Sequence, residues 1–125
     1  MDAPRFSLRS TVLGTPDPRG LASFYQALLD WEVLEEEDEW VVLKPTGGGV
    51  GLSFQREQFH QPPVWPAGPD DQQMQLHLDL AVSSLPAGVE RAVALGATEA
   101  SYQPQDDVRV MADPAGHPFC LFELG

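Results

Sequence analysis

The sequence predicts an α+β protein: two βαβββ modules paired into a curved mixed sheet around a cleft. Three observations predict it. The order strand, helix, strand, strand, strand occurs twice in 125 residues. The two copies are separated by a stretch with Pro62, Pro63, Pro66 and Pro69, too polar and Pro-rich for a core element. The second copy then opens on Gln75-Leu76-His77-Leu78-Asp79-Leu80-Ala81-Val82, which alternates. Leu76, Leu78, Leu80 and Val82 share one strand face, and His77, Asp79 and Ala81 share the other. Two such modules each leave one sheet face bare, and pairing the bare faces covers both. The division expected is one domain over 1–125, with module one at 5–56, a linker at 57–74 and module two at 75–125.

Phe6 to Leu13 reads as the first strand. Asp17 is a good N-cap, and Pro18 fits the first helical position, where its missing N–H costs nothing. Leu21, Phe24, Tyr25, Leu28 and Leu29 follow at helical spacing, so the first helix runs from Pro18 to Leu29. Trp31 to Glu35 is a strand, Glu36-Glu37-Asp38-Glu39 an acidic hairpin tip, and Trp40 to Lys44 the next strand. Thr46-Gly47-Gly48-Gly49 reads as a hairpin turn, because no Lys-Ser/Thr follows to make a phosphate cradle. Val50 to Gln55 is the fourth strand. In the linker, Phe59 and Trp65 either cover a cavity or interface or pack outside the sheet.

The alternating run at Gln75–Val82 is expected to be a central strand, with His77 beside Asp79 on its inward face. Ser83-Ser84-Leu85-Pro86 opens the second helix, with Leu85, Val89, Ala92, Val93 and Leu95 along its apolar side and Gly96 ending it. Ala97 to Tyr102, Val108 to Ala112 and Pro118 to Leu124 are three more strands, the last two joined by the turn Asp113-Pro114-Ala115-Gly116.

Charge excludes some function classes. The formal net charge is −12, with only seven Lys and Arg. Nucleic acid is disfavoured as a partner, because phosphate binding needs clustered cations, and acidic membrane surfaces are disfavoured for the same reason. A cationic ligand would be attracted, although such charge more often serves solubility. No apolar run is long enough to span a bilayer, and the start Met1-Asp2-Ala3-Pro4-Arg5 is not that of a signal peptide, so a cytoplasmic location is expected. Cys120 is the single cysteine, which rules out an intrachain disulfide.

Pro16-Asp17-Pro18, Leu21-Ala22-Ser23-Phe24-Tyr25, Leu28-Leu29-Asp30-Trp31, His77-Leu78-Asp79-Leu80, Ala94-Leu95-Gly96-Ala97 and Asp113-Pro114-Ala115-Gly116-His117-Pro118-Phe119 resemble, taken together, the glyoxalase/bleomycin-resistance/dioxygenase family, also called vicinal oxygen chelate proteins, in its glyoxalase-like branch. The resemblance covers nearly the whole chain. Asp30 departs from it, standing where the family usually has a glycine that closes the first helix; Asp tolerates the left-handed conformation at some cost.

The resemblance implies a test for metal. Metal-dependent members place His, Glu or Gln at four equivalent strand positions. Carried over, these fall on Ser10, on Leu52 or Ser53, on His77 and on Cys120. His77 alone is kept without qualification, and Cys120 is a candidate second ligand. His77, Asp79 and Cys120 could hold a softer ion such as zinc, but the strand rise puts residues 77 and 79 about 6–7 Å apart, which strains a shared ion. No cofactor is therefore expected, and a divalent metal at His77 is the lesser alternative.

Two functions follow. The first is a metal-free protein that binds a small organic molecule in the cleft between the modules, similar to the drug-sequestering members, with His77 and Asp79 as candidate acid/base or orienting residues and Ser10, Trp65, Arg109 and Cys120 as ligand contacts. Arg109 reads equally as a surface strand residue. The second is a lyase, isomerase or dioxygenase that uses His77 as base or metal anchor. Fold alone licenses neither. His60 and His117 read as structural. Family members usually pair, so a homodimer is expected.

Overall fold

The computed structural model describes residues 3–124, which divide into two compact units, one ending at Gln58 and the other starting at Phe59. The first unit runs β1 (Ser10–Thr15), α1 (Pro18–Leu29), β2 (Glu32–Glu36), β3 (Trp40–Lys44) and β4 (Gly51–Arg56). Its sheet order is β1-β4-β3-β2, with β1 parallel to β4 and the other pairs antiparallel. The second unit runs β5 (Leu78–Val82), α2 (Leu85–Leu95), β6 (Thr98–Glu99), β7 (Val108–Ala112) and β8 (Pro118–Glu123). Its order, β5-β8-β7-β6, repeats the same topology. The internal repeat read from the sequence is thus a repeat of topology.

In the first unit, Asp17 caps α1 by accepting from Gly20 N at 3.0 Å, and Asp30 ends it at φ 58° in the left-handed conformation. The helix buries Leu21, Ala22, Phe24 and Tyr25. Leu13, Val41 and Phe54 stand side by side in the ladder, and Leu43 pairs with Leu52; all five are buried. Tyr25 stacks on Phe54 at 5.8 Å between ring centres. The first strand starts later than the pattern suggested: Phe6 and Leu8 are 94% and 75% exposed. Alternation alone could not see that the parallel ladder to β4 begins only at Ser10 opposite Gly51. The acidic tip is not merely solvated, because Arg19 reaches Glu36 at 3.4 Å and Asp38 at 3.1 Å.

In the second unit, Ser84 caps α2 and Gly96 closes it. The helix buries Leu85, Gly88 and Ala92, whereas Val93 is 48% exposed, so the apolar stripe is rotated toward the glycine. Two expectations are corrected. First, β5 is an edge strand of its sheet, not a central one; β8 and β7 are central. Its ladder starts at Leu78 opposite Phe119, which leaves Leu76 outside and 48% exposed. Second, the strand expected over 97–102 shrinks to Thr98–Glu99. The Gln103 amide joins the pairing: its Nε2 donates to Ala100 O at 2.8 Å and Val110 O at 2.9 Å, and its Oε1 accepts from Val110 N at 3.0 Å. Ala100 N still donates to Val110 O at 3.0 Å, and the Gln103 side chain supplies the partner that Val110 N would otherwise lack.

The Pro-rich stretch packs on the second unit. His60 Nε2 lies 2.9 Å from Ala115 O, its ring centre is 4.7 Å from that of His117, and Val64 N donates to Gln72 O. The Trp65–Pro66 bond is cis. No helix among the described residues is long and apolar enough to cross a membrane.

Candidate functional site

Pairing in a sheet sends partnered side chains to the same face. In the second unit, Asp79, Cys120 and Val110 are partners across three strands, as are Ala81, Phe122 and Val108. They face away from α2. Leu78, Phe119 and Met111, and Leu80, Leu121 and Arg109, occupy the helix side. The open side holds a depression of about 280 Å³, lined by Trp65, His77, Asp79, Val110, Cys120 and Phe122 among others. Trp65 thus covers a cavity of its own unit, one of the two readings left open by the sequence.

His77 stands one residue before β5. Its ring lies nearly parallel to Trp65, 5.0 Å between centres and 19° between planes, and Trp65 in turn meets Tyr102 edge-on at 5.9 Å. His77 Nδ1 is 3.0 Å from Asp79 Oδ1, an ion pair when the imidazole is protonated. The nitrogen is buried, yet the approach is too oblique for a hydrogen bond. Separation favours an ion pair and direction disfavours a hydrogen bond; the direction decides, since hydrogen bonds weaken steeply off axis. Asp79 has 58% of its side chain exposed, and Cys120 is buried and free. Burial first, and then the Asp79 carboxylate, push the Cys120 thiol above its ordinary value, so it stays protonated at neutral pH.

Ser10 lies in the first unit, on the open face of that sheet, where its Oγ is 2.7 Å from Ser53 Oγ. Together with Arg9, Trp40 and Lys44 they line a second depression of about 480 Å³. Leu52 points to the helix side, so Ser53 is the open-face residue near the end of β4. Arg109 is placed on the helix side of its own sheet, opposite Leu121. That corrects its expected ligand contact, because residues 108 and 110, not 109, face the depression. Sequence reasoning missed Phe122, which lines the depression, and Tyr102, which packs edge-on against Trp65. Phe122 was legible as an every-other-residue partner of Cys120; Tyr102, in an irregular segment, left no periodic signal.

Of the four positions that the family uses for a divalent ion, only His77 carries a usual ligand here. Two of them are Ser10 and Ser53, whose hydroxyls are occupied with each other, and one is a protonated thiol. Hard divalent ions want several carboxylate or carbonyl oxygens, so this donor set does not fit that ion.

Fold and repeat define a protein of two βαβββ units. Residues 10–122 match the model of the glyoxalase-like domain, and the chain belongs to that family. The fold agrees with a glyoxalase/bleomycin resistance protein/dioxygenase family enzyme from Burkholderia phytofirmans PsJN, at TM-score 0.72 and 19% identity over 96% of this chain and 100% of that one. A glyoxalase-related enzyme from Fulvimarina pelagi aligns at TM-score 0.69 and 19% identity, over 94% and 88%. TnmS3, an antibiotic binding protein from Streptomyces sp. CB03234, aligns at 0.58 and 15%, over 99% and 100%. No curated protein matches the chain in sequence.

Proposed function

We propose that the protein binds a small, planar, cationic organic molecule on the open face of its second unit, without the family's four-ligand divalent ion. The observation that carries this reading is the wall made by Trp65, stacked on His77 and edge-on to Tyr102, with the exposed Asp79 carboxylate at its rim. Aromatic faces attract cations and flat rings, and a carboxylate beside them selects positive charge. A net charge of −12 raises the local concentration of such ligands. TnmS3, which shares the fold, is an antibiotic binding protein, and this supports a small-molecule ligand here.

A panel of planar aromatic cations and their neutral analogues, titrated by calorimetry, tests the reading. Binding of the cations in preference to the neutral analogues is expected. Trp65→Ala should abolish it, and Asp79→Asn should weaken the cations alone. Equal affinity for both sets, or binding indifferent to Trp65→Ala, refutes it. Turnover of a bound compound that is lost in His77→Ala would favour the enzymatic alternative, with His77 as base.

The same proposal includes a homodimer. Phe6, Leu8 and Phe59 are large apolar side chains, all at least 75% exposed in the single chain, and burying them against a second copy would remove that apolar surface from water. Light scattering that returns a 13.7 kDa particle at micromolar concentration sinks the dimer.

A further inference from the structure

The open face of the second unit holds a cluster of three donor groups, of which the binding of an organic cation calls on the Asp79 charge but not on the three donor atoms together. A His77 ring nitrogen, an Asp79 carboxylate oxygen and Cys120 Sγ all lie within 4.8 Å of one another. Strand geometry alone separates residues 77 and 79 by about 6–7 Å. That strain is absent here because His77 precedes the strand, and its ring turns until Nδ1 is 3.0 Å from Asp79 Oδ1. Cys120 comes in from the neighbouring strand, directly opposite Asp79. A second observation points the same way: Nδ1 is buried and makes no aligned hydrogen bond. Buried polar atoms in folded proteins nearly always have a partner, so an orphan facing a carboxylate and a thiol needs an explanation.

We propose that His77, Asp79 and Cys120 form a three-ligand site for a thiophilic divalent cation, with zinc the best chemical fit. One sulfur, one imidazole nitrogen and one carboxylate oxygen are the donors zinc takes, at bonds of about 2.0–2.3 Å. A tetrahedral arrangement spaces such donors about 3.3–3.8 Å apart. No separation here exceeds that by more than roughly 1 Å, a gap that small side-chain rotations close. Trp65 stacked on the ring holds His77 in place. Calcium and magnesium do not fit, since they need more oxygen ligands than the cluster offers. On binding, the thiol proton leaves to solvent and the sulfur–metal bond forms, with no change of oxidation state. A tetrahedral ion held by these three donors, which all line the depression, would leave a fourth position for water or a ligand atom. The site differs from the family's ion, because all three ligands come from one unit and Asp79 is not one of the four family positions. It stands apart from the organic-ligand reading, because the probe is the ion alone.

The test uses the full, untagged chain, stripped of metal and titrated with Co(II), whose thiolate complexes absorb in the near ultraviolet. One equivalent is expected to produce a thiolate-to-cobalt band, and one equivalent of Zn(II) to remove it. Cys120→Ser should abolish the band. His77→Ala and Asp79→Asn should weaken binding by at least about tenfold, no less than the loss of an outer-shell partner costs. His60→Ala, in the other histidine pair, should leave binding unchanged. If Cys120→Ser does not fold, Asp79→Asn, near-isosteric and exposed, carries the test. The proposal is overturned by the absence of a band in folded wild type with excess Co(II). It is equally overturned by a band that survives in Cys120→Ser, by Asp79→Asn binding cobalt as tightly as wild type, or by a band that disappears in His60→Ala.

Discussion

Gly88→Ala isolates the contact that seats the second helix on the strand next to the site. Gly88 is buried in α2, and a Cβ there would stand 2.8 Å from Val82 Cγ2 and 3.1 Å from Cγ1. Val82 ends β5, the strand that carries Asp79. Two effects oppose each other. Alanine in place of glycine within a helix gains about 0.8–1.0 kcal/mol. Forcing a methyl into a closed contact costs about 1–3 kcal/mol, and the stiff β-branched Val82 has few ways to yield. The expected net result is destabilisation by about 1 kcal/mol. In a Val82→Ala background the obstructing methyls are gone, and the same change should stabilise by about 0.8 kcal/mol. Urea unfolding of the four chains in a double-mutant cycle measures the difference, a coupling of about 2 kcal/mol. If Gly88→Ala stabilises the wild-type chain, or if its effect is the same in both backgrounds, the close-approach argument is wrong and the glycine has another role.

Asp17→Ala removes the side chain that accepts from Gly20 N, and thermal unfolding should show a loss of about 1 kcal/mol. Asp113 is buried and one of its oxygens accepts from both Ala115 N and His117 N at 2.9 Å, so Asp113→Ala should cost about 1–3 kcal/mol in urea unfolding, more than the exposed cap. The Cys120 thiol is raised in the fold above its ordinary value of 9.0, by burial and then by Asp79. The folded state therefore holds its proton longer than the unfolded chain. That contribution is fully present below the ordinary value and is lost as pH rises through it toward the folded value. The stability advantage of wild type over Cys120→Ala should accordingly shrink above about pH 9, and a constant gap from pH 7 to pH 10 would contradict it. For the same reason iodoacetamide should label native Cys120 slowly at pH 8, and faster in Asp79→Asn, where the repelling charge is gone; mass spectrometry follows the rate.

Local chemistry was legible in the chain. Asp17-Pro18 and Ser84-Leu85-Pro86 announced helix starts because a cap and a proline need only their immediate neighbours. Asp30 was expected to end the first helix in the left-handed conformation, and it does. The repeat of strand order was visible because period and length survive in sequence. The family followed from those signals in combination, and the match over residues 10–122 bears it out.

Other features were decided only by tertiary contact. Alternation showed that His77 and Asp79 share a face, but not that β5 lies at the edge of its sheet, because pairing order is set by partners far along the chain. Arg109 between two valines could face either way, and the register with Leu121 put it on the helix side. The Gln103 bridge to Val110 had no periodic signature, since such a side-chain contact depends on where two segments meet. The convergence of His77, Asp79 and Cys120 within 4.8 Å is of the same kind. The sequence by itself determined which residues could serve as donors and on which face two of them lie. Only the parallel ladder that sets Asp79 opposite Cys120, and the turn of the His77 ring just before that ladder begins, brought the three together. Such distances belong to pairs of residues remote in the chain, and no local pattern encodes them.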